Sequence, residues 1–186
     1  MFEAYSLEAN ENTNMPNVDY DQLKDLLEDS YMERIDEGNR AKVRPIMIWG
    51  APGIGKTAIL MNVLEEMKKE YPDYRLIVKT LSNETPDNFT LPTYVETEGG
   101  KKADDVPKTW LPVYKPTGDD DEDQILSDKC GEGLLFIDEL SRATDQVLNV
   151  ILPLINEGEF NGYKVGKKWT IVVASNRMED DKGQNQ

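Results

Sequence analysis

Eight consecutive residues of the 186-residue chain, Gly50-Ala51-Pro52-Gly53-Ile54-Gly55-Lys56-Thr57, fit the pattern G-x-x-x-x-G-K-[ST] at every required position. Glycines spaced this way let the backbone curl until successive N–H groups point inward at phosphate oxygens. A helix beginning at Lys56 adds the positive end of its dipole. Lys56 then reaches the β- and γ-phosphates of a nucleotide, and the Thr57 hydroxyl is a ligand for Mg²⁺. The flanks agree with this reading. Pro45 to Trp49 is an apolar run closed by glycine, and Thr57 to Glu70 carries Ile59, Leu60, Val63, Leu64 and Met67 on one face. A chance glycine turn would not bring both flanking elements with it. The segment is a phosphate-binding loop over residues 50–57, with nucleotide contacts running to Ala58.

About 80 residues later, Leu134-Leu135-Phe136-Ile137-Asp138-Glu139 is an apolar strand that delivers two carboxylates at its C-terminal end. Asp138 is placed to hold hydrated Mg²⁺, and Glu139 to orient and activate an attacking water. An Asp-Glu pair can also simply cap the next helix. Behind a phosphate-binding loop the chemical reading leads, and it favours water as the acceptor and hence hydrolysis. Ile171 to Asn176 is another apolar strand, ending in an amide. Asn176 can hydrogen-bond the γ-phosphate or the lytic water, although Asn also ends strands for turn reasons alone.

These side chains need a scaffold that brings strand ends to one edge. Apolar runs at 46–49, 74–81, 133–137 and 169–173 alternate with amphipathic stretches, which predicts a mostly parallel sheet with helices on both faces: a three-layer αβα sandwich. A helix is expected from a cap at Asp19 or Asp21 through Leu23, Leu26, Leu27, Tyr31 and Ile35 to Gly38. Another should run from Thr144 to Gly158, kinked at Pro153. Residues 1–18 read as a flexible tail, leaving 19–186 as the nucleotide-binding core. Residues 82–132 read as irregular, with the acidic run Asp119 to Asp123 as a solvated loop. A hairpin is expected over 158–173, turning near Gly166-Lys167-Lys168.

Composition removes several classes of function. With no histidine, the chain builds no Ser-His-Asp triad, Cys-His dyad or His-containing zinc site. One cysteine, Cys130, excludes an internal disulfide. A net charge of −15 argues against nucleic-acid binding by the whole surface. No apolar run approaches the roughly 20 residues of a membrane span, and the N-terminus lacks a signal-peptide pattern. A cytoplasmic protein is expected.

In order and spacing, GAPGIGKT, LLFIDELSRA and IVVASN resemble the Walker A, Walker B and sensor 1 motifs of AAA+ ATPases, here at 50–57, 134–139 and Asn176. The closer likeness is to the MoxR-like branch, related to the dynein-type modules. Ser141-Arg142-Ala143 is similar to its Asn-Arg-Ala stretch, Leu148 to Glu157 to its leucine-rich helix ending in Asn-Glu, and Trp110-Leu111-Pro112 to the Trp-Leu-Pro before Walker B. Thr90 and Arg177 depart from the branch, standing where glycine and proline are common.

The resemblance implies a Mg²⁺-dependent ATPase in an oligomeric ring that remodels a protein client, in many relatives with a partner bearing a von Willebrand factor A domain. It assigns catalysis to Glu139, Lys56 and Asn176, and metal binding to Thr57 and Asp138. Thr80 or Ser82 would hold Glu139 away from the water, or would satisfy strand-end backbone. Arg142 would reach a neighbouring subunit's nucleotide, or pair with a carboxylate such as Asp145. The resemblance also implies a fifth strand, an arginine finger and a helical lid beyond Asn176, where ten residues remain. Without that strand, residues 46–49 are expected at an open sheet edge. The alternative to an ATPase is a nucleotide-binding interaction module with little hydrolysis of its own. A nucleic-acid motor would rest only on Lys164, Lys167, Lys168 and Trp169 in the hairpin.

Overall fold

A computed structural model describes residues 3–7, 16–37, 44–50, 53, 55–97 and 100–176. Ala51, Pro52, Ile54 and Arg177, and the expected helix stop Gly38, lie outside the described residues.

The centre is a five-stranded parallel sheet. Its strands are β1 (Glu3–Ser6), β2 (Ile46–Trp49), β3 (Arg75–Thr80), β7 (Gly133–Asp138) and β10 (Trp169–Ser175), in the order β1-β2-β10-β7-β3. Strand periodicity sends alternate residues to opposite faces, and the core divides accordingly. Met47, Leu135, Ile137, Ile171 and Val173 pack against helix α4 (Asp145–Glu157). Ile46, Ile48, Leu134, Phe136, Val172 and Ala174 pack against α1 (Tyr20–Glu37) and α2 (Lys56–Glu70). The three-layer α/β expectation is met.

Local chemistry explains the helix limits. The Asp19 carboxylate accepts from the Gln22 N–H at 2.9 Å while the Gln22 side chain accepts from the Asp19 N–H at 3.0 Å, a reciprocal cap for α1. Thr144 caps α4 through the Val147 N–H, and Gly158 at φ 69° closes it. The helix continues through Pro153.

Several expectations need correction. Residues 3–6 are not part of a tail: β1 pairs in parallel with β2, from Glu3 against Ile46 to Ser6 against Trp49. The edge expected to be open at 46–49 is therefore covered. Residues 82–132 hold a long antiparallel pair, β4 (Thr90–Thr97) with β5 (Gly100–Pro107), then β6 (Val113–Tyr114) and α3 (Asp120–Lys129). The acidic run is the start of α3. Asp119 caps it by accepting from the N–H groups of Asp121 and Glu122, and the acids that follow sit at the positive end of the helix dipole. The hairpin turns at Asn161-Gly162, between β8 (Glu159–Phe160) and β9 (Tyr163–Val165). The expected second arm, β10, instead enters the central sheet between β2 and β7. Among the described residues, no helix is long and apolar enough to cross a membrane.

Candidate functional site

Three parallel strands, β2, β7 and β10, end side by side. Each hands over a different group: the glycine loop, Asp138 with Glu139, and Asn176. The loop depends on glycine for its backbone rather than for space. Gly53 and Gly55 sit at φ 85° and 86°, a region that other L-residues enter at a cost, yet a Cβ on Gly53 would meet nothing within 4 Å. Gly55 is the N-cap of α2, whose first turn carries no acidic residue. The helix therefore turns its positive end toward the loop, with no carboxylate of its own first turn to compete for an anion.

Lys56 and Thr57 open that helix. The Lys56 ammonium is buried and donates to the Gly50 carbonyl at 2.9 Å and to Asn176 Oδ1 at 3.0 Å. One cation thus ties the loop to the end of β10, across 120 residues of sequence. These are positions at which phosphate oxygens can replace neutral acceptors, gaining a charge-assisted bond. The Thr57 hydroxyl donates to Asp138 Oδ2 at 2.9 Å. Two hard oxygen donors from different elements already meet there, and that donor set fits Mg²⁺, which takes oxygen ligands and keeps much of its water.

Glu139 is held differently. Its backbone is left-handed at φ 57°, uncommon for a residue with a side chain, and its N–H donates to Asp138 Oδ1 at 2.8 Å. This turns the chain sharply out of β7 into the short 3₁₀ turn Leu140–Arg142. The Glu139 carboxylate accepts from the Ser82 hydroxyl at Oε2 and from the Arg142 guanidinium at Oε1, the latter at 3.2 Å. Ser82 lies in the 3₁₀ turn Leu81–Asn83 that follows β3, next to β7.

The structure thus brings Lys56, Thr57, Asp138 and Asn176 into one bonded set and places Glu139 beside Asp138. Of the two hydroxyls considered for Glu139, Ser82 makes the contact. Thr80 pairs in register with Asp138, and among the described residues no hydrogen bond joins its hydroxyl to Glu139. Arg142 pairs with Glu139 rather than with Asp145. That partner lies three residues back, and the sequence spacing carried this signal, but the expected pairing looked forward along a helix. The Gly50 carbonyl as an anchor for Lys56 had no sequence signal, because every residue has a carbonyl.

The hairpin cations separate from the site. The Lys167 N–H donates to Ser127 Oγ at 2.8 Å and its side chain to Gln124, while Lys168 pairs with Asp128 at 3.5 Å; all three partners belong to α3. Trp169 is buried in the core, its indole N–H donating to the Cys130 carbonyl. These contacts fold the basic spot back onto the protein.

A comparison with family models matches residues 45–185 to the one described as AAA domain (dynein-related subfamily). A comparison with curated proteins finds no match.

Proposed function

The chain belongs to the dynein-related subfamily of AAA domains, and from that premise we propose that it binds ATP with Mg²⁺ and hydrolyses it to remodel a protein partner as a MoxR-like ATPase. The observation that carries the reading is the bonded set at the sheet edge, in which Lys56 spans Gly50 and Asn176 while Thr57 meets Asp138. In this reading Lys56 and the α2 N-terminus bind the phosphates, and Asn176 orients the γ-phosphate or the attacking water. Thr57 and Asp138 would hold Mg²⁺, which would neutralise charge on the phosphate oxygens. Glu139 takes the proton of the attacking water once its carboxylate is free.

A second reading has a specific observation in its favour. Because Ser82 and Arg142 occupy both oxygens of Glu139, the nucleotide-bound chain would rest as a module with little turnover until a partner or a neighbouring copy draws them away. The two readings are successive states of one site. Phosphate release with Mg²⁺ and ATP, measured across a hundredfold range of chain concentration, tests both. Glu139→Gln is expected to keep ATP binding and lose turnover, and a specific rate that rises with concentration supports assembly. Unchanged hydrolysis in Glu139→Gln refutes the assignment of the base.

A further inference from the structure

At the sheet edge opposite β1, strand β3 pairs only with β7 among the described strands. The Arg75 N–H goes to the Glu132 carbonyl on the β7 side, so alternation turns the N–H and C=O groups of Leu76 and Val78 outward. A groove of about 990 Å³ meets the first half of this strand, at Arg75, Leu76 and Ile77. Leu76 is one of the residues whose backbone groups turn outward, so the groove borders the free edge of the strand there. The far wall is the chain from Thr109 to Thr117, with Tyr163 and the end of α3. None of the described residues of the glycine loop lines the groove.

The charge of this groove runs against the rest of the protein. Its charged lining side chains are Arg75, Lys115 and Lys129, and no aspartate or glutamate among the described residues joins them, on a chain of net charge −15. Edge strands often carry a lysine merely to discourage pairing. Lys79 on β3, paired with Glu84, suits that role, but Lys115 and Lys129 stand on the opposite wall, where a guard of the edge has no use. A row of outward backbone groups calls for a ligand with its own amides at strand spacing, and the cations call for one that is acidic.

We propose that this groove binds an extended acidic peptide of a partner protein, added to β3 as a further strand. The test uses the full chain and fluorescence anisotropy with three labelled ten-residue peptides. One alternates Glu and Val, one alternates Lys and Val, and the third is the Glu-Val peptide N-methylated at every backbone nitrogen, which blocks both of its edges. Saturable binding of the Glu-Val peptide is expected, with none of the Lys-Val peptide, and N-methylation is expected to weaken it about tenfold or more. The double variant Lys115→Glu/Lys129→Glu should weaken it by a similar factor while leaving ATP binding unchanged. Absence of Glu-Val binding overturns the proposal, as does binding indifferent to N-methylation or to charge reversal, or equal competition by an oligo-dT strand. Should the double variant fail to fold, the N-methylated peptide on the unaltered chain decides alone. None of these outcomes depends on ATP hydrolysis, so the groove and the nucleotide site stand or fall separately.

Discussion

Ser82→Ala would remove one of the two described holds on the Glu139 carboxylate, and its effect can be sized. A hydrogen bond to a charged acceptor contributes about 1.5–3 kcal/mol when sheltered. Ser82 is exposed, however, and the Glu139 side chain retains 28% of its accessible surface, which lowers the figure to about 1 kcal/mol. Weakening the hold by that amount raises the population of freed carboxylate about fivefold while that population is small. Turnover at saturating ATP and Mg²⁺ should therefore rise about fivefold. Nucleotide affinity should stay put, because the Ser82 hydroxyl bonds Glu139 and not the loop. The assay is steady-state phosphate release at fixed chain concentration, with Glu139→Gln as the blank and a separate titration of ATP binding. The Arg142 pair, an exposed ion pair, should give a rise no larger than this, within the ~0.2–1 kcal/mol range of surface ion pairs. A folded, ATP-binding Ser82→Ala protein with unchanged or lower turnover would mean that Ser82 positions Glu139 for the reaction instead of restraining it.

Three further substitutions probe the scaffold. A Cβ on Gly133 would lie 2.2 Å from the Arg75 carbonyl oxygen, so Gly133→Ala forces β3 and β7 apart; a loss of about 2–3 kcal/mol should lower Tm by roughly 5–10 °C in a thermal melt. The Thr117 N–H and hydroxyl hold the Asp123 carboxyl below its ordinary range. The folded chain therefore binds that proton less readily than the unfolded chain, and the stabilisation is complete above the unfolded value and lost as pH falls through the lowered one; below about pH 4 the unaltered protein should lose stability more steeply than Asp123→Asn in urea titrations. Leu7 N–H bonds the Trp49 carbonyl and Ser6 N–H points away to Pro16, so alternation aims the Tyr5 N–H at β2; Tyr5→Pro should cost about 1–2 kcal/mol and increase light scattering on heating, and an unchanged melt would show that β1 adds nothing to the edge.

The helix that opens at Lys56 and the strand ends around it were legible because their pattern is written in contiguous residues. Gly50 to Thr57 specify a backbone path, and Leu134 to Glu139 specify a buried strand with acids at its exit. Parallel pairing then forces those exits to one edge, since strands of the same direction end on the same side. What joins them was not written locally. The Lys56–Asn176 bond spans 120 residues and exists only because β10 lies beside β2. The acidic run at 119–123 misled in a related way. Like charges in a row suggest a solvated loop, until Asp119 is recognised as a cap and the acids after it as partners of a helix dipole.

Residues 3–6 show the limit most sharply. Glu-Ala-Tyr-Ser has neither the length nor the apolar run of a buried strand, and a polar stretch follows it. Its strand character comes from the partner: β2 presents one edge to β10, and its other edge would expose backbone groups beside an apolar core. Any short segment able to reach that edge gains backbone bonds there, whatever its own propensity. The consequence reaches the site, because the Leu7 N–H bonds the carbonyl of Trp49, the residue that immediately precedes Gly50. The N-terminal segment thus steadies the strand from which the glycine loop springs. The opposite edge, at β3, stays open among the described strands and faces a groove of opposite charge to the chain. One sheet therefore has two edges in different states: one closed by the chain's own β1 beside the strand that leads into the glycine loop, the other left with backbone groups turned outward and cations on the wall that faces it.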